Sequence, residues 1–260
     1  MPMAAYFNPT AYGDLTGANR RVWVLSHIFA DQKFMTVFSL LFGAGIILLT
    51  TRLEERGQSA WRVHYRRNFW LLVFGLAHAY LFWSGDILVL YALCAAVVFW
   101  FRRLSPGWLI VVGLMSLAVP SAMVWFGGST LAYWPPEIYD EMLADWRPNA
   151  MAIQEELAAY RGGWLAQMAA RIPHSLESQT YALLFWGFWR AGGLMLVGMA
   201  LFKWGVVTAK RSPRFYGVMV IVGLIVGLSA VAYGVLQKFW PRLGHGLFAL
   251  WSRLSVQLLG

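Results

Sequence analysis

The chain has 260 residues, of which 59% are hydrophobic and only 13% charged. Soluble domains carry roughly twice that share of charge, so a water-facing globular surface is excluded unless lipid covers it. The net charge of +9 does not point to nucleic acid, because the basic residues sit in short segments between apolar runs, where they act as topology signals.

The opening segment, MPMAAYFNPTAYGDLTG, has no basic n-region followed by an apolar core and is not a secretory signal. Six apolar runs then approach the length needed to cross a bilayer. They lie near Phe34–Leu49, Phe69–Trp83, Ile87–Phe101, Trp108–Phe126, Tyr181–Leu201 and Phe215–Leu236. The second and third are joined only by Ser84, Gly85 and Asp86, which predicts a tight helical hairpin. A seventh segment, Gly244–Leu259, contains Arg253 and Gln257 and reads equally as a marginal span or an interfacial helix. The expected fold is an all-α, polytopic transmembrane bundle of six clear spans plus that seventh element, forming one integral membrane domain over residues 1–260.

The segments after the first, third and fifth spans carry Arg52, Arg56, Arg62, Arg66, Arg67, Arg102, Arg103, Lys203, Lys210, Arg211 and Arg214. All fall on one side of a six-span arrangement. The intervening loop 127–179 is acidic, with Glu137, Asp140, Glu141, Asp145, Glu155, Glu156 and Glu177. The positive-inside rule therefore places the basic segments in the cytoplasm, and the N-terminus and loop 127–179 outside. Within that loop, 137–145 and 150–167 are expected to form short amphipathic helices. Membrane lipids are the expected partners, and exposed basic residues would attract anionic headgroups at roughly 1 kcal/mol each.

Four residues are candidates for chemistry. His78 lies inside an apolar run, where a polar side chain must face the bundle interior or a cavity and find a partner. It is a candidate acid or base. Asp86 follows eight residues later, about 12 Å away along a continuous helix, too far for contact unless the turn folds it back. Tyr91, one turn into the next helix, is a nearer candidate partner for either. Arg190 interrupts the fifth run near its middle, where insertion costs roughly 2.5–3.5 kcal/mol, and is a candidate anion site. The alternatives are a structurally bonded histidine and a structural polar bridge. Gly43, Gly45, Gly192, Gly193, Gly217 and the pair Gly223 and Gly227 predict close helix packing. The single cysteine, Cys94, excludes an intrachain disulfide, the five histidines have no metal-ligand spacing, and no metal or cofactor is expected.

Several segments resemble the YeiB-like family of bacterial inner-membrane proteins: FMTVFSLLFGAGIILL (34–49), RRNFWLLVFGLAHAYLFWSGDILVLYAL (66–93) and GGLMLVGMALFKWG (192–205). The resemblance implies a further helix before the present start and more spans beyond Gly260. This chain is expected to lack them, and a protein partner or a second copy would then supply the missing helices. The family is uncharacterised and similar in helical organisation to membrane acyltransferases. Three functions follow as expectations: a structural or accessory membrane subunit, a membrane-embedded acyl or group transferase acting on a lipid or envelope glycan, or a transporter of an anionic solute.

Overall fold

A computed structural model describes residues 8, 10, 15–146 and 148–239 of the chain. Every regular element among them is helical. In order these are α1 (Gly17–Phe29), α2 (Lys33–Glu55), α3 (Ala60–Leu81), α4 (Leu88–Val98), α5 (Pro106–Thr130), α6 (Pro136–Trp146), α7 (Ala150–Arg161), α8 (Trp164–Glu177), α9 (Phe188–Lys203), α10 (Pro213–Val222) and α11 (Leu228–Phe239). A 3₁₀ turn, Phe99–Arg103, extends α4, and a π-helical stretch, Ser178–Gly187, joins α8 to α9. The fold is all-α, with several long apolar helices of the kind that build a polytopic membrane bundle. The segment 244–259 lies outside the described residues.

Among the described residues, four helical stretches are long and apolar enough to cross a membrane: Gly17–Glu55, Pro106–Tyr133, Trp164–Lys203 and Pro213–Tyr233. They contain the first, fourth and fifth expected runs and most of the sixth. The second and third do form helices, but neither meets that standard by itself, so four stretches rather than six do. His64, Arg66, Arg67 and Asn68 make the first half of α3 polar. The helix of the third run has only the 11 residues of α4, and its 3₁₀ extension of 5 residues already ends in Arg102 and Arg103, short of the roughly 20 that a bilayer core requires.

Between the fourth and fifth expected spans, α6, α7 and α8 occupy most of the chain. Asn149 caps α7, its Oδ1 accepting the Ala152 N–H at 2.8 Å. The expected 150–167 helix is broken at Gly162 and Gly163, where Gln167 Nε2 donates to the Tyr160 and Gly162 carbonyls.

The described chain forms two compact units. One comprises residues 32–121 and 171–222; the other holds α1, the end of α5, α6, α7, the first half of α8, and α11. In the latter, α1 packs on α11, and Trp134 Nε1 donates to Thr130 Oγ1 at 3.1 Å.

The core of the first unit is Ile46, Ile47, Tyr91, Cys94, Ala95, Val98, Phe99, Leu109, Ala191, Met195, Leu196 and Met199, with neighbours. Glycines set its helix spacing. A Cβ on Gly43 would run into the Met195 carbonyl, and one on Gly198 into the Leu40 carbonyl, so α2 and α9 cross with backbones in contact. Gly113 and Gly193 do the same for α5 and α9. By contrast a Cβ on Gly45, Gly217, Gly223 or Gly227 would meet nothing within 4 Å. Those four glycines do not mark packing faces among the described residues.

Pairs of contacts give the direction of each helix. His64 bonds the Ala95 carbonyl and Asn68 that of Ala92, while Gly75 lies against Val89, so α3 and α4 are antiparallel. Leu104 accepts from Lys203, Ser116 donates to Trp189, and Gly113 abuts Gly193, so α5 and α9 are antiparallel. Gly187 lies by Leu90 and Gly192 by Val98, so α4 and α9 run the same way. The α2–α9 crossing at Gly43 and Gly198 is followed by Ile47 and Thr51 beside Phe202 and Lys203, which makes that pair parallel too. Helices α2, α4 and α9 thus share one direction and α3 and α5 the other. The residues Arg52, Arg56, Arg62, Arg66, Arg67, Arg102, Arg103, Lys203, Lys210 and Arg211 all gather at one end of this unit. The α3–α4 turn with Asp86 lies at the other.

Candidate functional site

Helix α3 ends at Leu81, and the chain turns immediately: the N–H groups of Phe82 and Trp83 both donate to the His78 carbonyl, at 3.0 and 2.9 Å. Gly85 has no Cβ to obstruct the Trp83 ring, which would lie 2.6 Å from one. This tight turn brings Asp86 back over the last turn of α3. Asp86 Oδ1 lies 2.8 Å from His78 Nδ1, and Asp86 Oδ2 accepts the Val89 N–H at 2.8 Å. The carboxylate thereby caps the start of α4, satisfying a donor that a helix N-terminus leaves open. The folding-back that a continuous helix would forbid is what the structure contains.

The two side chains are unequally exposed. Asp86 is 2% accessible and His78 is 40%. An ionised carboxylate can only accept, so in neutral His78 the proton sits on Nδ1 and Nε2 carries the lone pair. Phe82 and Trp83 flank the ring, with centroids 6.3 and 6.2 Å away. A buried carboxylate that fixes a histidine tautomer leaves the second nitrogen able to accept a proton.

Tyr91 does not join this pair. Its hydroxyl lies 2.6 Å from Ser39 Oγ and donates to the Met35 carbonyl at 3.1 Å. Phe38 packs edge-on to its ring at 4.9 Å. Tyr91 is the fifth residue after Asp86, and its side chain turns toward Ser39 and Met35 of α2.

Arg190 lies deeper, on the first turn of α9 after the π-helical stretch. Its position beside α4 follows from Gly187 against Leu90 and Cys94 Sγ beside the Phe188 carbonyl at 3.6 Å. That puts it about two turns below Asp86. The guanidinium stacks over Trp186 at 5.0 Å and is within electrostatic reach of Tyr91. Its Nη1 is buried without a hydrogen-bond partner among the described residues. Trp186 is the aromatic platform for this cation. The dyad and Arg190 are therefore two polar features at different depths.

Three further residues, Arg171, Ser175 and Gln179, brace the dyad end, and the apolar runs and loop charges did not single them out. Arg171 Nη1 donates to the Leu81 carbonyl at 2.6 Å, placing a cation at the C-terminal end of α3. Ser175 Oγ donates to the Ala79 carbonyl at 2.9 Å, and Tyr80 to Gln179 Oε1 at 3.2 Å. Polar residues at four-residue spacing (171, 175, 179) along an amphipathic stretch were the available signal. At the opposite end, His64 stacks on Phe99 at 4.5 Å, and Tyr65 bonds the Ala96 carbonyl at 2.7 Å. Burial, opposed in part by the Ala95 bond and reinforced by Arg102 and Arg67, holds His64 below its ordinary pKa. His27, bonded to Asp31 at 3.3 Å, belongs to the other unit. Among the described residues no three His, Cys, Asp or Glu side chains converge as metal ligands.

No family model matches the chain, and no solved structure matches it. Among curated proteins it is 31% identical over 241 residues to the uncharacterised protein YeiB of Escherichia coli K12, an alignment covering 89% of this chain and 58% of that protein. It is 40% identical over 83 residues to the uncharacterised protein YxaH of Bacillus subtilis 168, covering 32% of this chain and 21% of the other. An uncharacterised 39.9 kDa protein of Bacillus acidopullulyticus is 33% identical over 79 residues, 30% of this chain and 22% of its own. The chain spans well under two thirds of the length of each. This is a membrane-embedded protein related by sequence, over most of its length, to the YeiB-like group of uncharacterised bacterial proteins.

Proposed function

We propose that this chain is the core of an inner-membrane group transferase that moves an acyl group onto a hydroxyl of a lipid or envelope glycan, with His78 as the general base. The observation that carries the reading is the 2.8 Å contact of His78 Nδ1 with Asp86, whose own carboxylate is fixed by the Val89 N–H. An acceptor hydroxyl gives its proton to His78 Nε2 as its oxygen bonds the carbonyl carbon of an acyl ester. The ester C–O bond then breaks, and the departing alcohol takes the proton back from His78. A lipid acyl ester suits as donor, since it is present in the bilayer itself and leaves the reaction balanced without another reactant. Asp86 steadies the imidazolium formed in between. Arg190 supplies a deeper cation for an anionic part of donor or acceptor, because its buried Nη1 lacks a partner.

The same reading includes a topology. The bundle crosses the bacterial inner membrane with α3 and α4 completing six passes, the α2–α3 turn and the other basic segments in the cytoplasm, and the dyad and the 127–179 segment outside. The common direction of α2, α4 and α9, opposite to α3 and α5, supports this alternation, as does the gathering of the basic residues at one end. The short α3–α4 hairpin is stabilised in the bilayer by its neighbours, not by its own length.

The structural-subunit reading has one observation in its favour: Asp86 also caps α4 and ties it to α3, which a hairpin clamp would do without chemistry. Mass spectrometry of envelope lipids and glycans separates the two. Cells with the wild-type chain should contain acylated species that cells carrying His78→Gln lack, at equal protein level. Identical profiles would leave the clamp as the whole role.

A further inference from the structure

The turn that follows α9 folds back on itself. Val206 N–H bonds the Leu201 carbonyl and Lys210 N–H the Gly205 carbonyl, both at 2.9 Å. Gly205 adopts φ 76°, a left-handed conformation that favours glycine, and a Cβ there would lie 3.0 Å from Lys210 Cβ. From α10, Tyr216 donates to the Val206 carbonyl at 2.8 Å and braces the turn. This geometry wraps a cavity of about 470 Å³ lined by Ile47, Thr51, Lys203, Thr208, Lys210 and Arg211, with Trp204 in its wall.

The lining is one-sided in charge. Three cations and two hydroxyls face the cavity, and no carboxylate lines it among the described residues. Two of the cations are anchored: Lys203 Nζ donates to the Leu104 carbonyl at 2.7 Å and Arg211 Nε to the Trp204 carbonyl at 2.8 Å. Each anchor consumes one N–H and leaves the others free to orient. Topology signalling requires only that basic residues lie on the right side of the membrane. It does not require them to converge on a preformed cavity with threonine hydroxyls between them.

We propose that this cavity binds a phosphate group. Anchored Lys and Arg donors with interspersed hydroxyls are the chemistry that recognises phosphate oxygens. The group can belong to an anionic phospholipid of the adjoining leaflet or to a soluble phosphorylated compound. The site is at the end of the bundle opposite His78, so it stands independently of the transferase reading.

The test uses the full chain purified in a neutral detergent. Native mass spectrometry counts phosphatidylglycerol retained against phosphatidylcholine, and melting shifts during titration with inorganic pyrophosphate read the soluble source. Lys210→Glu should weaken whichever probe binds by at least about tenfold, whereas Arg62→Glu, the same charge reversal elsewhere at that end, should not. Thr51→Leu, which fills the cavity without changing charge, should weaken binding as well and serves if Lys210→Glu does not fold. Preference for phosphatidylglycerol assigns the site to lipid, and saturable pyrophosphate binding assigns it to a soluble ligand. No saturable binding of either probe, or equal weakening by Arg62→Glu, would overturn the proposal.

Discussion

The hydroxyls of Ser39 on α2 and Tyr91 on α4 lie 2.6 Å apart, and both residues are completely buried. Ser39 also bonds its own helix at the Met35 carbonyl, 2.8 Å away, so the pair joins two apolar helices without leaving a polar atom stranded. Tyr91→Phe keeps the ring and leaves Ser39 satisfied. Chemical or thermal unfolding in detergent should show a loss of about 1 kcal/mol, with turnover retained if Tyr91 has no chemical role.

The α2–α9 crossing should be intolerant of even one methyl group. Gly43→Ala and Gly198→Ala each set a Cβ against a backbone carbonyl, and overpacking of this kind costs about 1–3 kcal/mol. Gly45→Ala, two residues away in open space, is the control. Melting temperature should fall for the first two variants and not for the third.

His64 makes stability depend on pH. Its folded pKa lies below the ordinary value of 6.5 because burial penalises the charged ring. The unfolded chain therefore binds the proton more readily, so the contribution is intact above about pH 6.5 and is lost as pH falls below it. His64→Gln can still donate to the Ala95 carbonyl but does not titrate. The melting temperature of the wild type should drop more steeply between about pH 7.5 and 5.5 than that of the variant.

Topology is open to direct labelling. Gln58 lies in the α2–α3 turn among basic residues, and Asn149 caps α7. In a Cys94→Ala background, Asn149→Cys should react with a membrane-impermeant maleimide in intact spheroplasts. Gln58→Cys should react only after lysis. The reverse pattern would invert the proposed orientation.

Much of this organisation was legible in the sequence. Apolar runs located α2, α4, α5, α9 and α10, because hydropathy acts residue by residue, whereas α1, Gly17–Phe29, has no such run and was not expected. The His78–Asp86 contact was not, since it depends on a turn in which Gly85 lets Trp83 fold over the chain and the helical spacing no longer applies. The same limit hid Arg171, whose partner Leu81 is 90 residues away. Glycine patterns were ambiguous for a related reason: Gly43 and Gly227 look alike in sequence, and only the path of α9 decides which one meets a neighbour.

The central claim is that His78 takes a proton under the direction of Asp86. The most direct measurement is transfer turnover in reconstituted vesicles, per folded protein, for the wild type, His78→Gln and Asp86→Asn. Loss of a general base predicts a fall of about 10²–10⁴-fold for His78→Gln. Asp86→Asn can still meet His78 but favours the wrong tautomer, so it should also lose turnover while remaining folded. Full transfer by a folded His78→Gln variant would contradict the account.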